Sequence, residues 1–332
     1  MSVLHLHVGL PKCGSTALQK YFRDNRAALL AQGVDYPALS PGHTGNLTPY
    51  AFSFRPPEAR RWFHQTYPSY DISKAETDLR AALAAPKAPR LLLSSEALIK
   101  QSHGVDIDWM AEHFDAVHVH IFFRPRAPLL MSAYEQLLRG GHEQDDVTGF
   151  LDRSLQMPEM QLAAYLARWQ AFAGKDRTHI YFISNDRPTI ERQFLTVLGI
   201  DPATMPKPVS RANQAKSAFV HCVLAHASRR NLISTVQQKQ RLFAIAAQYD
   251  PDPAARLLTP EIAHWIDAAY AEDTDRLLSM QQVMSCKDLE TDPETLPRST
   301  TFAEIEALPV FDAAMQQILA DGALTQMPGQ GA

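Results

Sequence analysis

With 332 residues, 45% of them hydrophobic and 20% charged, the chain has the composition of an ordinary globular protein and is long enough to bury an extensive core. Its net charge of −4 excludes a nucleic-acid binder that works through a broad basic face, so any anion site must be local. Cys13, Cys222 and Cys286 are odd in number and far apart, which indicates neither a disulfide framework nor a zinc site and predicts a reducing compartment.

Val3–Val8 is the first predicted strand, and it starts too early to leave room for a basic segment and an apolar signal core. No stretch approaches the roughly 20 apolar residues of a membrane span, so the expectation is a soluble, cytoplasmic protein. Three further runs rich in β-formers, 91–94, 117–123 and 179–183, also read as buried strands. Helical patterns separate them: 15–32 closed by Gly33, 106–114, 127–139 closed by Gly140 and Gly141, and 158–172 closed by Gly174. This alternation predicts an α/β fold, three-layer α/β/α and P-loop-like, with a mostly parallel central sheet and ligands at the carboxyl ends of the strands.

Residues 34–89 are too long for a connection and mix Pro, Gly, aromatics and arginines, which predicts an inserted lobe on the acceptor side of the sheet. From about 219 the pattern is helical, with Thr259-Pro260-Glu261 as a helix start. One α/β domain over 1–285 is therefore expected, followed by a tail, 286–332, that packs on the surface or is partly flexible around an apolar patch at 302–319.

The chemistry is concentrated at strand ends. Gly9-Leu10-Pro11-Lys12-Cys13-Gly14-Ser15-Thr16 joins the first strand to a helix, a layout that aims backbone N–H groups and a positive helix end at an anion. It is not a Walker A loop, because Lys12 precedes the second glycine and Ser15 stands where that motif has its lysine. Arg124 ends the third of these strands and Ser132 follows eight residues later in a helix, so a guanidinium fork and a hydroxyl could meet on a second anion. Glu96 follows Leu91-Leu92-Leu93-Ser94-Ser95 at another strand end, and His43 sits in the loop Pro41-Gly42-His43-Thr44-Gly45-Asn46; each is a candidate base.

Two separated anion sites resemble those of sulfotransferases: Gly9 to Thr16 looks like the family's 5′-phosphosulfate loop, and Arg124 with Ser132 looks like its 3′-phosphate site. The resemblance covers about residues 1 to 220 and lies nearest to bacterial and carbohydrate-type members. It implies 3′-phosphoadenosine 5′-phosphosulfate (PAPS) as donor, 3′,5′-adenosine bisphosphate as product, no metal, and a glycan or small-molecule acceptor reacting through a hydroxyl or amine. Lys12 would meet the leaving oxygen, Lys12, Cys13, Gly14, Ser15 and Thr16 would hold the phosphosulfate, and Glu96 or His43 would take the acceptor's proton. Arg211 and Asn213, within 211–217, resemble the loop that closes over the nucleotide. Neither nucleic acid nor membrane is an expected partner. Two other readings stay open: a P-loop kinase-like transferase, which would want a lysine after the second glycine and an acidic Mg²⁺ ligand, and a catalytically silent nucleotide-binding protein.

Overall fold

The computed structural model describes residues 2–10, 12–40, 45–99, 106–140, 143, 145–155, 160–183, 188–208, 216–230, 232, 235–280 and 286–321. The chain divides into two compact units, one comprising Met1–Arg124, Gln161–Ser210 and Ser279–Gln282, the other Pro125–Met160, Arg211–Leu278 and Val283–Ala332.

The first unit holds the sheet. Its strands are β1 (Val3–Val8), β2 (Val34–Asp35), β3 (Arg90–Ser95), β4 (Ala116–Phe123) and β5 (Thr178–Phe182), in the order β2-β3-β1-β4-β5. Every neighbouring pair is parallel. Four strands match the expected runs; β2 is new, a two-residue edge strand too short to leave a periodic signal. The expected helix over 15–32 breaks into Ser15–Asp24 and Arg26–Ala31, because the Asn25 side-chain amide donates to the Tyr21 carbonyl at 2.8 Å and ends the first helix there.

The architecture is three-layer α/β/α. On one face Leu4, Leu6, Val8, Val119 and Ile121 are fully buried, and Thr178 Oγ1 on that face donates to the Trp169 carbonyl of the helix Leu162–Ala173. The opposite face carries His5, His7, Ser94, His120, Phe122 and Tyr181 in register across β3, β1, β4 and β5. Phe194 from the helix Ile190–Val197 stacks on Phe122, meets His7 edge-on and packs tilted against His120 and Tyr181, and Phe22 from Ser15–Asp24 packs on Phe194 with ring centroids 5.0 Å apart. A sheet covered on both faces normally reads as continuous apolar sequence; here the buried imidazoles pair with one another instead.

The order has one consequence for function. From β1 the chain runs outward to β2, returns to β3 beside β1, then crosses to β4 on the other side. The carboxyl ends of β3, β1 and β4 thus lie side by side where the connections reverse, the place where open α/β sheets take their ligands.

The second unit is helical. Tyr134 of the helix Arg126–Gly140, Cys222 of Ala218–Arg229, Leu242 of Val236–Tyr249, Ile266 of Pro260–Ala269 and Ile318 of Pro309–Ala320 belong to one buried cluster. Side-chain caps set the helix starts: Ser217 accepts from the Val220 N–H, Thr259 from that of Ile262, and Thr235 with Gln238 and Thr301 with Glu304 form capping boxes.

Candidate active site

Local chemistry shapes the loop after β1. The Gly9 N–H donates to the Ser95 carbonyl at 3.2 Å, carrying the sheet one residue further, and the backbone then turns through left-handed residues at Lys12 (φ 65°) and Gly14 (φ 72°). A lysine in that conformation is strained, which marks a backbone held by its surroundings. Gly14 precedes the helix Ser15–Asp24 and no side chain caps that end. Its carbonyl accepts from the N–H groups of Ala17 and Leu18, so the N–H groups of Ser15 and Thr16 at the head of the helix have no carbonyl of their own helix to bond. Such an end is a positive, hydrogen-bonding cradle. Gly14 also needs to be glycine for space, since a Cβ there would lie 2.5 Å from Ile190 Cδ1.

Glu96 reaches this loop from β3. It is partly buried, hydrogen-bonds Ser15 and feels the charge of Lys12; burial raises its carboxyl above the ordinary range, and those two contacts pull it part-way back. Gly9 lies directly beneath: a Cβ on it would come within 2.2 Å of Ser15 Oγ and 3.2 Å of Glu96 Cγ. From the other side of β1, Arg124 at the end of β4 directs Nη1 toward the Lys12 carbonyl at 3.4 Å. Cys13 is fully buried among these groups, and desolvation pushes its thiol up to about 12, so it remains a neutral packing residue and its backbone is what the loop offers a ligand.

The structure therefore gathers Lys12, Cys13, Gly14, Ser15, Thr16, Glu96 and Arg124 at one edge of the first unit. Ser132 is partly buried on the helix Arg126–Gly140 and belongs to the second unit, so the Arg124 and Ser132 pair is divided between the units. His43, Arg211 and Asn213 lie outside the described residues.

Several residues to which sequence reasoning gave no such role brace the carboxyl end of β3, from which Glu96 follows. β2 pairs β3 only at Arg90 and Leu91, which leaves the carboxyl half of β3 without a strand neighbour on that side. Asn46 substitutes for one: its side-chain amide accepts from the Ser94 N–H at 2.8 Å and donates to the Leu92 carbonyl at 3.0 Å, while the Leu47 N–H donates to the Ser94 carbonyl. Gly45 permits this approach, since a Cβ there would fall 2.1 Å from the Ser94 oxygen. Thr48 Oγ1 pairs with Ser95 Oγ at 3.1 Å, the Ser95 hydroxyl accepts from the Ala97 N–H, and buried Arg55 donates to the Ala97 carbonyl. Beneath, Ser94 Oγ bonds both His7 Nδ1 and Gln19. The only sequence signal for this scaffold is the Gly-rich run ending in Gly45-Asn46.

Chemically, the edge offers two cations and a helix N-terminus for anionic groups, with one partly desolvated carboxylate able to accept a proton. A solved structure described as a sulfotransferase from Alicyclobacillus acidocaldarius matches this chain with a TM-score of 0.51 at 13% identity, covering 85% of this chain and 96% of that one. The likeness is one of fold. No family model and no curated protein matches the chain. Among the described residues no helix is long and apolar enough to cross a membrane.

Proposed function

We propose that this chain is a PAPS-dependent sulfotransferase acting on a hydroxyl or amine of a carbohydrate or small-molecule acceptor. The observation that carries the reading is the convergence of Lys12, Ser15, Glu96 and Arg124 at the adjoining ends of β1, β3 and β4. The sulfotransferase fold supports it. PAPS supplies an activated sulfuryl group on a phosphosulfate, and the residues at this edge fit it: the uncapped N–H groups of Ser15 and Thr16 and the charge of Lys12 suit the anionic oxygens of the phosphosulfate, and Arg124 suits the 3′-phosphate. Glu96 accepts the proton of the acceptor hydroxyl as that oxygen bonds to sulfur in line with the breaking S–O bond. Its raised proton affinity suits the task, because a base with the strength of an ordinary carboxylate would hold the proton poorly near neutral pH. Lys12 neutralises the charge that develops on the departing bridging oxygen. Positioning and electrostatics account for most of the rate, with general-base help of about 10²–10⁴-fold.

The test is turnover: release of 3′,5′-adenosine bisphosphate from PAPS with a panel of hydroxyl and amine acceptors. The proposal expects transfer to at least one acceptor, and loss of transfer in Lys12→Ala. Tight binding of the bisphosphate with no transfer to any acceptor would overturn the enzymatic reading and leave a silent nucleotide-binding protein.

A further inference from the structure

Within the second unit, Cys222 and His226 stand one helical turn apart on the same face of Ala218–Arg229. Glu306, the last residue of the helix Phe302–Glu306, comes up to them from a separate element. The Cys222 sulfur, an imidazole nitrogen of His226 and a Glu306 carboxylate oxygen all lie within 4.8 Å of one another. Sequence reading found no ligand spacing among the cysteines or the histidines and expected no metal, whereas the fold brings Glu306 to His226 across 80 residues of chain.

We infer that Cys222, His226 and Glu306 form a zinc site that clamps the helix Phe302–Glu306 onto Ala218–Arg229. The donor set is a thiolate, an imidazole and a carboxylate, a combination that suits Zn²⁺ and leaves its fourth tetrahedral position for water. One thiolate and one carboxylate balance the two charges of the ion, so the complex is neutral at the margin of a hydrophobic core. Ligand atoms around a tetrahedral zinc stand about 3.3–3.5 Å apart, given bonds of roughly 2.0–2.3 Å. His226 Nε2 and Glu306 Oε1 stand 2.7 Å apart, so they open slightly to admit the ion. The His226 ring is already oriented, with the Phe311 ring edge-on at a centroid distance of 5.0 Å. An entry path exists too: Cys222 is fully buried, but His226 and Glu306 are 22% and 40% exposed, so the ion arrives from the solvent side.

The test uses the full chain, stripped with a chelator and titrated with Zn²⁺ by calorimetry. The inference expects one ion per chain, a melting temperature that rises with Zn²⁺ concentration, and, with Co²⁺ as probe, tetrahedral visible bands plus a thiolate-to-metal charge-transfer band that Zn²⁺ displaces. Cys222→Ser removes the charge-transfer band. Glu306→Gln, on the exposed side, keeps the fold and that band but weakens binding on the order of 10–100-fold. Should Cys222→Ser fail to fold, Glu306→Gln and the Co²⁺ spectrum decide alone. No saturable binding, or one-to-one binding without a charge-transfer band and unchanged in Glu306→Gln, would overturn the inference and leave His226 and Glu306 as a hydrogen-bonded pair beside an ordinary core thiol.

Discussion

Ser15 hydrogen-bonds Glu96, and Gly9, by lacking a side chain, leaves room for both. Because burial raises the Glu96 carboxyl and the base must be ionised, activity falls as pH drops through that raised value, and the acidic limb of kcat/KM against pH lies above the usual glutamate range near ~4.3. Ser15 holds the carboxyl down, so Ser15→Ala moves the limb to higher pH; a limb that stays put would remove Ser15 from the electrostatics of the base. Glu96→Gln keeps affinity for 3′,5′-adenosine bisphosphate but loses about 10²–10⁴-fold in kcat, and full activity in that variant would exclude Glu96 as the base. Gly9→Ala forces the Ser15 hydroxyl aside and costs about 1–3 kcal/mol in denaturant unfolding. Much of this site was legible in the sequence, because Lys12, Ser15, Glu96 and Arg124 all sit where an apolar run stops. Gly9 could be read only as a turn glycine: the atoms it makes room for come from its own loop and from a strand 87 residues away in the chain, a distance no local pattern encodes.

The strands were legible as apolar runs, yet the histidines within them gave no hint of their arrangement. Parallel register alone makes them neighbours: His5 Nδ1 meets His120 Nε2 at 3.0 Å, His120 Nδ1 meets the Tyr181 hydroxyl at 2.8 Å, and His118 Nδ1 meets His179 Nε2 at 2.8 Å. Burial holds His5 and His7 down to about 3 and His120 well below its ordinary value. In the unfolded chain these side chains titrate near ~6.5, so from there down toward ~3 the unfolded state binds more protons than the native one. The stability they contribute is therefore complete above ~6.5 and is lost as pH falls through that window. Denaturant titrations at a series of pH values should show net uptake of protons on unfolding, reduced by about one in His120→Phe; a pH-independent midpoint across the window would contradict the account. The Asn46 side chain, acting as a strand neighbour for β3, is a second element-scale feature that no periodicity could reveal, because one side chain does the work of a ladder.

At the scale of the whole molecule, the motif Arg124-Pro125-Arg126 straddles the division between the two units. Arg124 turns toward the loop at Lys12, whereas Arg126, only 2% exposed, pairs with Asp273, donates to Thr274 Oγ1 at 2.7 Å and lies over the Tyr270 ring. Removing one partner of a buried pair strands the other charge, so Asp273→Ala should cost about 3–5 kcal/mol in denaturant unfolding; a loss under about 1 kcal/mol would mean the pair is solvated. Sequence reading singled out Arg124 as the strand-end cation and gave Arg126 no role, since nothing local shows that the latter meets a carboxylate 147 residues on. The fold class was legible because strand and helix alternate through 1–200; the division into units was not, because it depends on which helices share a core. The central claim, a loop and strand-end arginine built for a 3′,5′-bisphosphorylated nucleotide, is tested most directly by thermal unfolding with 3′,5′-adenosine bisphosphate against ATP with Mg²⁺. The account predicts a melting temperature that climbs with bisphosphate concentration, is little moved by ATP and Mg²⁺, and loses its response in Lys12→Ala. Stabilisation by ATP and Mg²⁺ with none by the bisphosphate would contradict it.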